Sequence, residues 1–265
     1  MAVLHGQQFR SRVDAVIVDV LPMERGRVIA DLRPEELEVR DNRALQQVTH
    51  MAGGTSALSI YLLLDTSSSL SESDLQHLRT SAQSLAAALR PADELSLVTF
   101  SERVRLHGSQ TAAALNEAFD GIQPMGGTSL NDALTAGFRL AERVADKRPV
   151  VIAFSDGTDT TSWLTARNVD DAARTSWGAL FAVLPRPRPA PLLEDLADLT
   201  GGDVLKLTSD LSGLSGAFMQ ILERLRQRYL IAFTPSSSTP GWHELDVKVK
   251  RSGAKVVARR GYLRR

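Results

Sequence analysis

The run from Leu58 to Leu64 is almost continuously apolar and stops abruptly on Asp65. A strand with one wet face alternates apolar and polar residues. A run without alternation is that of a strand covered on both faces, as in a parallel sheet sandwiched between helices. A second such run, Pro149 to Phe154, stops on Ser155-Asp156, and a third spans Ala179 to Leu184. Helical patterns separate them. Ser71-Glu72-Ser73-Asp74 has capping-box spacing. Leu75, Leu78, Ala82, Leu85 and Leu89 then fall on one helical face before Pro91 stops the helix. Further helices are predicted over Thr111–Phe119, Leu130–Val144, Ala166–Ser176, Leu192–Leu199 and Leu211–Gln227, with strands at Leu95–Phe100, Val104–Leu106 and Val204–Leu207. This alternation predicts an α/β fold: a doubly wound, mostly parallel central sheet flanked by helices.

The ends of the chain read differently. Phe9 to Leu21 is rich in β-branched residues on both faces, Glu24 to Arg27 reads as a turn, Pro34 opens a short helical turn, and Leu37–Asn42 reads as a strand. Near the other end Tyr229, Ile231 and Phe233 alternate. Leu245, Val247 and Val249 then alternate with charges, Ser252-Gly253 turns, and Ala254, Val256 and Ala258 follow, which predicts an antiparallel hairpin. Neither end has enough strands to bury itself. The expected organisation is an N-terminal β-segment (9–50), an α/β domain (57–227) and a C-terminal hairpin (228–265) that pairs with the first segment into a small antiparallel β-module.

Composition removes several classes of function. The 265 residues hold 31 Lys+Arg and 31 Asp+Glu, so bulk charge does not drive nucleic-acid binding. Without cysteine there is no disulfide framework, thiolate nucleophile or Cys-ligated zinc. The longest weakly polar stretch, Met51–Leu64, is too short to span a bilayer. The first residues, Met1 to Gln8, have no cationic segment and no apolar run of signal-peptide length. There is no GxGxxG after the first central strand and no P-loop. The five histidines are scattered without metal spacing and are expected in surface or structural roles. The basic excess after Glu223 alternates with apolar residues and reads first as a solvated strand face, with an anionic partner surface as the alternative.

In an open α/β sheet, sites form in loops at the carboxyl ends of strands, near the point where strand order reverses. Three polar loops fall there: Asp65-Thr66-Ser67-Ser68-Ser69, Gly126-Gly127-Thr128-Ser129 and Ser155-Asp156-Gly157-Thr158-Asp159. All offer hard oxygen donors and none offers His or Cys, a set suited to Mg²⁺, Mn²⁺ or Ca²⁺. Asp65, Ser67 and Ser69 alternate, so an extended loop points all three side chains one way. Asp132 falls in a first helical turn, where a carboxylate favours the helix dipole. Asp159 reads as a turn residue or an outer acceptor. Trp163 reads as either a contact residue or a packing residue.

The ordered set Asp65-x-Ser67-x-Ser69, Thr128 and Asp156-Gly157 resembles the metal-ion-dependent adhesion site of von Willebrand factor type A domains, over roughly residues 57–210. The flanks, Val16–Val20, Glu36–Asp41, Tyr229–Pro235 and Arg260-Gly261-Tyr262, are similar to the bacterial group of that family first catalogued in Acidobacteria. The resemblance implies that Ser67 and Ser69 coordinate a cation through hydroxyls. It implies that Thr128 does so directly or through water, and that Asp65 and Asp156 act mainly through water or orient the hydroxyls. It also implies an open coordination position that takes an Asp or Glu of a partner protein. The expected protein is therefore a metal-dependent binding module with no catalytic residues. A metal-assisted hydrolase and a scaffold with a purely structural ion are the alternatives. The family is often exported, which makes a secreted or periplasmic location the expectation although no leader is visible.

Overall fold

The structure is a computed structural model describing residues 15–54, 56–109, 111–208 and 210–265. The expected strand positions Phe9–Asp14 lie outside the described residues. In chain order the strands are β1 (Val16–Glu24), β2 (Arg27–Val28), β3 (Leu37–Asp41), β4 (Ala44–Gln46), β5 (Val48–Gly53), β6 (Leu58–Asp65), β7 (Glu94–Phe100), β8 (Val104–Ser109), β9 (Arg148–Phe154), β10 (Ala179–Leu184), β11 (Asp203–Lys206), β12 (Tyr229–Phe233), β13 (Gly241–Val249), β14 (Ala254–Ala258) and β15 (Gly261–Arg264). The helices are α1 (Glu72–Ala87), α2 (Ala112–Asp120), α3 (Leu130–Ala141), α4 (Ala166–Thr175), α5 (Pro191–Thr200) and α6 (Leu214–Arg226).

One sheet has the order β11-β10-β9-β6-β7-β8. Its pairs are parallel except β7 with β8. β6 lies in the middle and is buried on both faces. Leu58, Ile60, Leu62 and Leu64 share one core with Leu78 and Leu85 of α1, Leu115 of α2 and Phe218 and Ile221 of α6. Leu63 faces the opposite core with Leu134 and Phe138 of α3, Val169 of α4 and Leu193 of α5. Each fully buried Leu, Ile or Phe contributes roughly 1.5–3 kcal/mol, so this double burial fixes the strand's place.

The helices end where i to i−4 hydrogen bonds give way to tighter i to i−3 turns, not where apolar periodicity stops. Ser71 caps α1 with the capping box its spacing predicts: Asp74 N donates to Ser71 Oγ, and Ser71 N donates to Asp74 Oδ2 at 2.9 Å. The helix ends at Ala87, ahead of Leu89 and Pro91: the Ala88 N–H makes the last i to i−4 bond, to Ser84 O, and the Leu89 N–H turns to Ala86 O instead. Likewise α3 ends at Ala141, short of Val144, and the stretch expected as one helix from Leu211 opens as a 3₁₀ turn before α6.

The terminal segments form two antiparallel sheets, β14-β1-β12-β5, with β2 on β1, and β15-β13-β3-β4. A core containing Val18, Val20, Val39, Ile231, Phe233 and Tyr262 lies between them. The expected hairpin of β13 with β14 does not form. β13 pairs with β3 and β15, while β14 takes the edge of β1 across Val20–Glu24. Strand alternation records which face is wet but not which edge a strand joins, so the turn at Ser252-Gly253 carries the chain from one sheet to the other.

The sheets are joined through buried charge. Asp19 of β1 accepts from Arg228 Nε at 2.7 Å and from Arg148 Nε at 3.2 Å, and Arg148 Nη1 donates to Leu225 O. The Arg228 and Arg148 side chains are 1% and 7% exposed, that of Asp19 26%. At the Gly201-Gly202 punctuation, Gly201 caps α5 in the left-handed region (φ +76), and a Cβ on Gly202 would lie 1.6 Å from Leu180 O. Removing Asp19 leaves two buried guanidiniums without a counter-ion. Asp19→Ala is expected to cost about 3 kcal/mol by chemical denaturation. Asp246→Ala, which breaks the exposed pair to Lys248, should cost no more than about 0.5 kcal/mol.

Candidate metal centre

The chain leaves β6 and β9 at the same end of the sheet. β6 connects through α1 to β7 on one side, and β9 connects through α4 to β10 on the other. The crevice between β6 and β9 is therefore the point where strand order reverses, the usual binding position in such sheets. Parallel register sets Leu64 beside Phe154, so the next residues, Asp65 and Ser155, are neighbours. Ser155 Oγ donates to Asp65 Oδ2 at 3.0 Å, closing the crevice at its base.

The three polar loops meet above that bond. In the first, Ser67 N donates to Asp65 Oδ1 at 3.0 Å, which bends the loop so that Ser67 Oγ and Ser69 Oγ lie 3.1 Å apart. The second loop is laced to it: Met125 N donates to Thr66 O and Ser68 N to Gly126 O, both at 3.1 Å. Thr128 is held through its backbone, with its N–H on Thr160 Oγ1 at 2.7 Å and its carbonyl accepting from Thr160 N at 2.8 Å. In the third loop Asp156 Oδ1 accepts from Thr158 N at 2.8 Å and Oδ2 from Arg188 Nη1 at 2.9 Å.

Depth is graded. Asp65, Ser67 and Thr128 are buried, Asp156 is half-buried, and Ser69 is exposed at the mouth. Burial is the main cause that raises Asp65 above the ordinary carboxyl range. The Ser67 and Ser155 hydrogen bonds oppose it, and the neighbouring Asp156 charge adds to it.

Of the residues expected at the site, Asp65, Ser67 and Ser69 form one hydrogen-bonded group. Thr128 and Asp156 stand on the two adjoining loops. Asp159 takes a different place: its Oδ1 accepts from Asn131 N at 3.1 Å and from Ser162 Oγ, so it caps the start of α3. Asp132 does more than face the helix dipole, for its carboxylate accepts from Trp163 N at 3.1 Å and Leu164 N at 2.8 Å. Trp163 is thereby held on a fixed loop while 92% exposed, which removes the packing role. Met125 on the second loop is 62% exposed.

Ser155, Thr160 and Arg188 touch the site without having been singled out. Ser155 follows from the β6–β9 register once the two apolar runs are paired. Thr160 and Arg188 have no local signal. Among the histidines, His243 takes a structural role. His243 has a carboxylate partner, with Nδ1 2.7 Å from Asp41 Oδ1, and Tyr262 Oη donates to Asp41 Oδ2 at 3.0 Å. All three are sealed in the terminal sheets, and His243 Nε2 faces Thr239 O at 2.7 Å, so the group is structural.

These residues fit a hard divalent cation. Two hydroxyl oxygens converge beside a buried carboxyl whose charge is destabilised by burial and by a second carboxylate. Among the described residues no group of three or more His, Cys, Asp or Glu is placed to hold a metal. The site offers hydroxyls and two carboxyls, Asp65 and Asp156, a set that would leave a bound divalent cation incompletely neutralised.

The family description "von Willebrand factor type A domain" matches residues 60–158. No curated protein matches the chain. Among solved structures, a von Willebrand factor type A protein from Catenulispora acidiphila is similar over 95% of this chain and 75% of its own, at 13% identity and a TM-score of 0.55. An aerotolerance-related membrane protein from Bacteroides fragilis is similar over 64% of this chain and 98% of its own, at 13% identity and TM-score 0.52. Proximal thread matrix protein 1 from the mussel byssus, with zinc occupying its MIDAS motif, is similar over 68% of this chain at 18% identity and TM-score 0.55. This chain spans about half of that protein, 48%. At these identities the likeness is one of fold.

The raised Asp65 has a testable consequence in metal-free protein. The folded state holds the Asp65 proton more tightly than the unfolded chain, whose carboxyls titrate near about pH 4. Stability therefore falls as pH rises from there through the folded-state value, and the penalty persists at neutral pH. Asp65→Asn is expected to raise the melting temperature in EDTA at pH 7, with the gain vanishing below about pH 4. Scanning calorimetry across pH checks this.

Proposed function

Because residues 60–158 place a von Willebrand factor type A domain in this chain, we propose that the protein is a divalent-metal-dependent protein-binding module of adhesion type. It captures an acidic side chain of a partner protein. The observation that carries this reading is the convergence of Ser67 Oγ and Ser69 Oγ, 3.1 Å apart, on the buried and hydrogen-bonded Asp65. A bound Mg²⁺, Mn²⁺ or Ca²⁺ would supply an incompletely neutralised charge with a position open to an anionic oxygen.

The chain's own residues have distinct parts in that reading. Ser67 and Ser69 offer hydroxyl oxygens. Asp65 fixes their loop through Ser67 N and is itself held by Ser155. Thr128 presents its hydroxyl from a backbone pinned to Thr160. Asp156 offers a second carboxylate for water bound at the ion. Met125 and Trp163 expose apolar surface from adjoining loops, and a rigidly held aromatic beside a charged centre is a frequent anchor for partner proteins. The binding unit proposed is residues 57–227, with the segments 9–50 and 228–265 as its base.

A binder is favoured over an enzyme by what the nearby carboxylates already do. Asp65 orients Ser67 and Ser155, Asp156 pairs with Arg188, and Asp159 caps α3, so each candidate general base is committed. Nucleic acid is not a proposed partner. No described helix is long and apolar enough to cross a membrane.

Isothermal titration with Mg²⁺, Mn²⁺, Ca²⁺ and Zn²⁺ tests the reading. Zn²⁺ joins the panel because the mussel protein carries it. One site is expected in the wild type, and Asp65→Ala and Ser67→Ala should each weaken it at least about ten-fold, the scale for losing a ligand's support. Equal binding in all three proteins would contradict the proposal. Metal-dependent capture of a partner should likewise disappear in Thr128→Ala.

A further inference from the structure

The segment Pro185-Arg186-Pro187-Arg188-Pro189 leaves β10 and re-enters the fold at α5. Proline fixes φ at three of its five positions, so the segment has few conformations to lose when held in one. Its far end is fixed on the third loop of the site. Gly157 has φ +83, and a Cβ there would lie 2.9 Å from Ala190 Cβ, so the close approach requires glycine. From that anchor Arg188 reaches back over the loop. Its Nη1 donates to Asp156 Oδ2 at 2.9 Å and its Nη2 to Thr158 Oγ1 at 2.6 Å. Thr158 N occupies the other Asp156 oxygen.

Asp156 is thus already paired with a cation that the chain itself supplies. Asp65, the other carboxyl of the site, is bonded only to the neutral groups of Ser67 and Ser155 among the described residues. The Arg188 and Asp156 side chains are 44% and 36% exposed, and ion pairs in that setting are weak enough to exchange.

We propose that Arg188 is a built-in competitor for the divalent cation: the guanidinium and the metal contend for Asp156, and Arg188 sets the affinity with which the site loads. The proposal rests on the metal-binding reading above. Two effects act in the same direction. A fixed positive charge beside the site repels a divalent ion. The guanidinium also neutralises the carboxylate that would otherwise attract it.

Electron paramagnetic resonance of free Mn²⁺, titrated with wild type, Arg188→Gln and Arg188→Lys at low salt, tests it. Arg188→Gln is expected to bind Mn²⁺ about two- to five-fold more tightly than wild type, the range set by a partly exposed ion pair. The gain should shrink as salt screens the charge. Arg188→Lys keeps the charge but not the two-point fork, so it should fall between them. A purely structural arginine would give the two variants the same affinity and no salt dependence. Equal or weaker Mn²⁺ binding by Arg188→Gln, with wild-type binding intact, overturns the competitor and leaves the metal site standing. Absence of binding in all three chains removes the metal site and the competitor together. Binding by Arg188→Gln alone supports the competitor in its strongest form.

Discussion

The structure depends on the burial of β6 from both sides. A strand whose two faces are apolar must be covered twice, and helices on either side of a parallel sheet do this. Parallel neighbours then require crossovers that leave from the carboxyl ends of the strands. With β7 built to one side of β6 and β9–β10 to the other, the crossovers diverge above Asp65. The crevice is a consequence of that divergence, and the Leu64–Phe154 register brings Asp65 against Ser155 within it. The same burial that orders the sheet raises the proton affinity of Asp65. The site therefore holds a carboxyl that is short of positive charge by construction.

The zero net charge hides how charge is used. The basic excess after Glu223 is neither a purely solvated face nor an open patch for a polyanion. Arg224 pairs with Asp203, Arg226 with Asp93, Arg228 with Asp19, Arg251 with Asp31 and Glu36, and Arg260 with Asp198. Most of these pairs close within the α/β part or within the terminal sheets, while Arg260 with Asp198 and Arg265 with Glu142 tie the end of the chain to the α/β layer. Arg259 is used differently. It is buried, stacks over Trp177 at 4.4 Å, donates to the carbonyls of Ser176 and Gly261, and burial lowers its pKa to about 10.

Local chemistry was legible in the sequence; pairing between distant segments was not. Leu58–Leu64, Pro149–Phe154 and Ala179–Leu184 read correctly as strands because burial on both faces erases alternation. The capping box at Ser71–Asp74 lies within four residues and needed no tertiary information. The Asp65, Ser67, Ser69 group was visible because its spacing is itself the geometry. By contrast β13 and β14 each read correctly as strands, yet their partners were misassigned, since alternation is silent about edges. Asp19 meets Arg148 and Arg228 across 129 and 209 residues, and Arg188 meets Asp156 across 32. Nothing local marks such pairs. The helix ends after Ala87 and Ala141 were misplaced because apolar residues, Leu89 and Val144, continue into the turns that follow.

The proposed divalent-cation site takes Ser67 Oγ and Ser69 Oγ as ligands above the buried Asp65. Anomalous diffraction from crystals soaked in Mn²⁺ tests it most directly. A single strong anomalous peak is expected about 2.2 Å from both Ser67 Oγ and Ser69 Oγ, the spacing of oxygen ligands around such ions. Saturating Mn²⁺ with no peak between those hydroxyls, or with a peak elsewhere on the molecule, would contradict it.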